Sequence, residues 1–218
     1  IKEYVKRKNI SIYNEKTGNG IFRRILTKVG FATGEIMIVL VTTSGGRYFE
    51  ELATELVAKN PNIKSIIQNI NKSTGNTMMG PKSKLLYGKE TITDKIGDLE
   101  FEISARSFYQ VNPVKTKVMY QKAMDYIGLT GEETVFDIYC GIGSISLFLE
   151  QKAKKVYGIE IVPEAIEDAN RNAGINNITN TEFICGNAQE VVPELYGKGI
   201  RADAVVVDPP RKGIEEIV

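Results

Sequence analysis

Four short stretches in the second half of the sequence place chemically capable side chains directly after apolar, β-rich runs. In DIYCGIGS (Asp137–Ser144), Gly141 and Gly143 allow the backbone to turn tightly and to approach a ligand at a helix N-terminus, although a plain strand-to-helix turn would use the same residues. YGIEIV sets Glu160 where an acidic side chain can accept hydrogen bonds from both hydroxyls of a ribose; the apolar neighbours Ile159 and Ile161 argue against an ordinary surface Glu. In ICGNAQE the amide of Asn187 can read the edge of an adenine or cap a helix starting at Ala188, and the two roles are compatible. VVVDPPRKG fixes Asp208 at a strand tip with two consecutive prolines, as a purely structural turn also could.

These groups suit binding of a nucleoside more than metal or histidine chemistry. The sequence contains no histidine and two cysteines, Cys140 and Cys185, which give neither a zinc-ligand spacing nor a disulfide framework. Any proton transfer must therefore use carboxylates, lysines, a thiol or water.

The elements that would position these residues follow from periodicity. After Pro113, apolar runs alternate with amphipathic segments: helix 113–127, strand 134–138, helix 144–151, strand 156–161, helix 163–173, strand 181–185, helix 188–195 and strand 202–207. This alternation predicts an open, doubly wound α/β sheet of about four parallel strands, with ligands at the strands' carboxyl ends. So short a sheet should end in an exposed edge. Before residue 105 the pattern differs. Strands at 21–29 and 35–42 flank the turn FATG as an antiparallel pair, a helix at 49–59 stops at Asn60 and Pro61, and strands at 63–70 and 99–104 follow, giving a small α+β domain. The expected domains are 1–105 and 106–218.

The chain has 218 residues, 42% hydrophobic and 25% charged, as in ordinary globular proteins, and its net charge is +1. The charge is unevenly spread: residues 1–90 carry 15 Lys and Arg against 7 Asp and Glu, and the rest 13 against 20. Such a split suggests that the first domain meets a polyanion, with a solvated basic face as the plain alternative. Apolar runs fall short of the roughly 18–20 residues that span a bilayer, and the charged N-terminus is unlike a secretory signal, so the expected location is cytoplasmic. A start at Ile1 rather than Met leads us to expect a fragment of a longer protein.

DIYCGIGS, YGIE, CGNA and DPPRKG in this order resemble a class I S-adenosylmethionine-dependent methyltransferase. Arg211 stands where amino-group methyltransferases of DNA and proteins typically have an aromatic residue, and SFYQVNP (Ser107–Pro113) resembles the SFxQVN signature of the RNA uracil-C5 methyltransferases, which make 5-methyluridine in ribosomal and transfer RNA. The resemblance implies a truncated Rossmann-like class I methyltransferase sheet preceded by a small α+β domain. It implies S-adenosyl-L-methionine as cofactor, contacted by Gln110, Tyr139, Ser144, Glu160, Asn187 and Asp208 together with the glycine turn at Gly141 and Gly143, and RNA as partner, with Phe108 and Asp208 facing the uracil. For Phe108 the plain alternative is a core aromatic at the domain junction, and for Gln110 an interdomain hydrogen bond.

The resemblance also exposes departures. The family attacks C6 of the base with a cysteine thiolate and later removes the C5 proton with a general base, and both residues belong to segments beyond DPPR. Cys140, in the glycine turn, and Cys185, closing an apolar strand, are poor substitutes, so the 218-residue chain is expected to bind cofactor without turning over. Some relatives carry an RNA-binding barrel and an iron-sulfur cluster; this sequence shows neither, which leaves RNA affinity to the basic first domain, through Arg23, Arg24, Lys28, Lys82 and Lys84. Strand alternation would put Arg24 and Lys28 on one face and Arg23 on the other. A methyltransferase for a small molecule or protein shares the cofactor half of this reading. An NAD-dependent oxidoreductase accounts for Gly141, Gly143 and Glu160 but has Ser146 in place of its third glycine, and explains neither DPPR nor SFYQVN.

Overall fold

The computed structural model describes residues 1–75, 77–110 and 112–209, which form two compact units, Ile1–Asp94 and Lys95–Val218. The first contains α1 (Lys2–Arg7), β1 (Phe22–Val29), β2 (Ile36–Thr42), α2 (Arg47–Lys59), β3 (Ile63–Ile70) and β4 (Lys82–Gly88), with its sheet ordered β1-β2-β3-β4. β2 and β3 are parallel and joined through α2, whereas β1 and β4 run antiparallel to their neighbours. IMIVLVT of β2 is apolar at nearly every position because it is a central strand, buried on both faces. Phe49, Leu52 and Ala53 of α2 close one side of the core, packing with Phe22, Leu40 and Ile66.

The expected turn FATG joins β1 to β2. Gly34 adopts φ +70°, and the buried carboxylate of Asp94 accepts the N–H of Ala32 at 2.7 Å. A bulge lies between Phe22 and Arg24, where the pairing with β2 advances by one residue on β2 for two on β1.

β5 (Thr91–Ile96) and β6 (Leu99–Ser104) make a two-stranded hairpin. α1, β4 and β5 go unpredicted by the sequence. KSKLLYG of β4 is an edge strand with little burial, and in TITDKI of β5 the buried Asp94 interrupts an otherwise apolar face. The units part after Asp94, earlier than the expected boundary at residue 105, because β6 is tied to α5 of the second unit.

That unit alternates as expected: α3 (Pro113–Ile127), β7 (Thr134–Ile138), α4 (Ser144–Leu149), β8 (Lys155–Glu160), α5 (Pro163–Ile175), β9 (Thr181–Cys185), α6 (Ala188–Gly197) and β10 (Ala204–Val207). Its four strands are all parallel in the order β10-β7-β8-β9. Phe136, Ile138, Tyr157 and Ile159 pack with Ala188, Val191 and Leu195 of α6. Alternation sends Asp137 to the other face, where it meets Ser146 of α4. The chain builds outward from β7 through β8 to β9, then returns to β7's other side with β10. This reversal opens a crevice at the carboxyl ends of β7 and its neighbours. Among the described residues β10 is an edge strand, with Val205 and Val207 partly exposed.

Candidate active site

The turn after β7 is built from unusual backbone. Tyr139, Gly141 and Gly143 have φ of +68°, +54° and +78°, a left-handed region that glycine enters without strain and tyrosine does not. Tyr139 is held there by its N–H, which donates to the carbonyl of Ile159 at 2.9 Å, and by packing on the β7–β8 core. A Cβ on Gly143 would lie 2.7 Å from the Phe183 ring, so this glycine is required by packing as well. A Cβ on Gly141 would meet open space.

Glu160 ends β8 beside this turn. Its carboxylate accepts the N–H of Gly141 at 3.3 Å and that of Val162 at 3.0 Å, which fixes its orientation and leaves lone pairs for a ligand. A cleft of about 160 Å³ is walled by Gly141, Glu160, Val162, Glu164, Ala165 and Asp168 on one side and by Arg106, Ser107 and Phe108 on the other. Phe108 is 74% exposed, which removes the core-aromatic alternative and presents its ring at the cleft.

The remaining candidates are not among the residues that line this cleft. The Ser144 hydroxyl is bonded to Tyr120 at 2.8 Å, and burial foremost pushes the Tyr120 hydroxyl up to about 12. Asn187 caps α6, accepting the N–H of Gln189 at 3.1 Å, and its amide NH₂ points to no described partner. Gln110 is partly buried at the end of the SFYQ segment. Asp208 is exposed after β10, close enough for its charge to raise both Tyr120 and Asp137. Pro210–Gly213, the rest of the DPPRKG stretch, lie outside the described residues.

Asp137 carries more of the site's electrostatics than its place in the motif suggests. It is fully buried, its Oδ2 accepts the Ser146 hydroxyl at 2.6 Å, and its Oδ1 has no described partner. Burial foremost, with the charges of Asp208 and Glu160 adding, pushes its carboxyl up to about 7. Burial, followed by the Asp137 and Glu160 charges, pushes the Cys140 thiol well up, which disfavours the thiolate a nucleophile requires, whereas Cys185 is exposed at the end of β9 and not the buried apolar cysteine that its place after a β-run suggests. Sequence reasoning missed Asp137; an acidic residue at the end of a buried strand was the available signal.

The profile of the family described as tRNA (Uracil-5-)-methyltransferase matches residues 23–218. The chain belongs to this family. An RNA methyltransferase of Bacillus cereus is 54% identical over 217 residues, covering 99% of this chain and 47% of that protein. One of Clostridium tetani is 52% identical, again over 47% of its length. The chain thus spans about half the length of the curated family relatives it matches. The Pyrococcus abyssi tRNA (uracil-54, C5)-methyltransferase, solved with S-adenosyl-L-homocysteine, superposes with a TM-score of 0.78 at 28% identity over 99% of this chain and 50% of that one. The Methanocaldococcus jannaschii tRNA m1G37 methyltransferase shares the fold, with a TM-score of 0.53 at 18% identity over 91% of this chain and 57% of its own.

In the first unit the basic candidates separate. Arg23 is not a surface cation: its side chain is 0% exposed, its guanidinium donates to the carbonyls of Asn71 and Ser73 at 3.2 and 2.7 Å, and it stacks over Tyr13 at 4.2 Å. The bulge in β1 turns it away from the regular alternation, so a phosphate contact by Arg23 is withdrawn. Arg24 is paired with Glu15, and Lys84 with Glu50. Lys82 is exposed on β4, while Lys28 is partly buried.

Proposed function

We propose that the protein uses S-adenosylmethionine to methylate C5 of a uridine in RNA, transfer or ribosomal, and that this chain supplies the cofactor pocket and one wall of the substrate site. The observation that carries the reading is the convergence of Phe108, from the SFYQ segment, with Gly141 and Glu160 on one cleft. Its residues suit the cofactor: an oriented carboxylate for ribose hydroxyls, open space over Gly141 for close backbone approach, and two carboxylates, Glu160 and Asp208, both near enough to act on Asp137, with negative charge that complements a sulfonium.

When bound, S-adenosylmethionine supplies an electrophilic methyl group. Glu160 would hold its ribose, Asn187 its adenine edge, and Tyr139, Ser144 and Gln110 would frame the remainder, while Phe108 stacks on the target base and Asp208 holds it from the strand tip. Lys82 and Lys84, with Arg24 and Lys28, would contact phosphates without reading sequence. Cys140 is buried with its thiol pushed well up, and the exposed Cys185, which donates to the Ile161 carbonyl at 3.7 Å, does not line the cleft, so no turnover is expected from the 218-residue chain alone.

The test is methyl incorporation by the full-length protein into unmodified transfer and ribosomal RNA, followed by nucleoside analysis. 5-Methyluridine as product, with no incorporation by the 218-residue chain, is the expected result. Methylation of a base other than uridine, or of protein only, would sink the substrate reading, and turnover by the short chain would sink its inactivity.

A further inference from the structure

Asp168 and Asn172 on one face of α5 and Asn176 at its C-cap place three polar side chains at four-residue intervals, of which the first two are buried. Each is spent on another segment. Oδ2 of Asp168 accepts the hydroxyls of Ser104 at 2.8 Å and of Ser107 at 2.5 Å, while its Oδ1 is engaged by Arg171, which reaches Glu102 at 3.0 Å. The serine hydroxyls in turn receive backbone N–H groups, Ser104 N–H donating to Ser107 at 2.9 Å and Ser107 N–H to Ser104 at 3.3 Å. Asn172 has two prongs: its Oδ1 accepts the Glu102 N–H of β6 at 2.8 Å, and its Nδ2 donates to the carbonyl of Ile142, between the two turn glycines, at 3.2 Å. Among the described residues the Asn176 side chain engages Glu100, at the far end of β6, through both the N–H and the carbonyl of Glu100, and the carbonyl of Asn172.

We infer that Asp168 and Asn172 are positioning residues. Asp168 fixes the Ser104–Ser107 bend that delivers Phe108 to the cleft, and Asn172 locks β6, the strand that leads into this bend, to the glycine turn through Glu102 and Ile142, so that the wall facing the base and the wall facing the cofactor keep a set spacing. Buried carboxylate and amide groups with defined partners hold geometry more tightly than apolar packing, which tolerates sliding. The inference deepens the methyltransferase reading and rests on it for the identity of the two walls, but the mechanical link is a property of the second unit by itself.

The experiment is residue-resolved amide hydrogen exchange on the 218-residue chain carrying Asp168→Asn, Asn172→Ala or Asn176→Ala. Methyl transfer and S-adenosylhomocysteine affinity are measured on the full-length protein with the same changes. Asp168→Asn should speed exchange at Ser104 and Ser107 by about tenfold or more, leave Gly141 and Gly143 within about threefold, and lower kcat by about tenfold, a larger factor than its effect on S-adenosylhomocysteine affinity. Asn172→Ala should loosen both regions and weaken both readouts, and Asn176→Ala should spare both. Ser107→Ala, a milder change, reproduces the Asp168→Asn pattern if that variant folds poorly. Equal acceleration in all variants, in step with melting temperature, would overturn the inference and reduce the stripe to ordinary helix packing. Inactivity of the unmodified full-length protein on RNA would count against the proposed function, while the exchange pattern would still decide the link.

Discussion

The Glu160 carboxylate accepts the N–H of Gly141 at 3.3 Å, joining residues 19 apart in sequence at the mouth of one cleft. Because the turn itself aims this carboxylate, replacing it should cost binding more than folding. Calorimetric titration of S-adenosylmethionine into Glu160→Ala is expected to show affinity lowered by about 10- to 100-fold, the range for a charged hydrogen bond. Unchanged affinity would remove Glu160 from the site.

The two turn glycines should fail in different ways. Gly143→Ala drives a Cβ to 2.7 Å from the Phe183 ring and 3.2 Å from the Ala169 Cβ at φ +78°, and should destabilise the chain by about 2–4 kcal/mol in denaturant melts. Gly141→Ala meets no neighbour, so it should cost about 1 kcal/mol of backbone strain while reducing cofactor affinity by intruding on open space. Equal stability losses in the two variants would contradict this division.

Between about pH 4 and 7 the folded chain should lose stability through Asp137. Its carboxyl titrates near 7 when folded and at 3.8 in its ordinary setting, so the folded state keeps a proton that the unfolded state releases; the stabilisation is complete below 3.8 and is lost as pH rises through 7. Glu133, held at about 2 by hydrogen bonds from Thr130 foremost, acts in the opposite direction, but only below its ordinary 4.5. Comparing Asp137→Asn with the unmodified chain isolates the effect, expected to be on the order of 1–4 kcal/mol across the window. Parallel pH profiles for the two proteins would show that Asp137 titrates normally.

The basic residues on the two edge strands of the first unit should part company. Arg23→Ala removes a buried guanidinium from its carbonyl partners and should destabilise by about 2–4 kcal/mol. Lys82→Ala with Lys84→Ala should change stability by less than about 1 kcal/mol, yet weaken RNA binding uniformly across sequences and flatten its salt dependence, as read by filter binding at several ionic strengths. Sequence-selective loss would indicate base contacts instead.

What the sequence makes legible is whatever its period encodes locally. TVFDI and KVYGIE, apolar and followed by helical patterns, identify β7 and β8 with their ligand-bearing tips, and Glu160 follows from its place after such a run. β4 stays hidden because an edge strand needs no apolar face, and β5 because Asp94 sits buried where the pattern demands a hydrophobe. The exposure of Phe108, the burial of Arg23 and the partners of Asp168 depend on which distant segments meet, and spacing does not encode that. None of Asp168, Asn172 and Asn176 stands out in the sequence, because four-residue spacing of polar side chains gains its meaning only when β6 is found against them.

The single extra residue in β1 acts as a phase shifter. Upstream of it Phe22 points into the core, and downstream Ile25, Thr27 and Val29 are exposed while Arg24, Leu26 and Lys28 are half-buried. Deleting one residue there would invert the parity of everything on one side of the bulge, so this short stretch can change its letters more readily than its length.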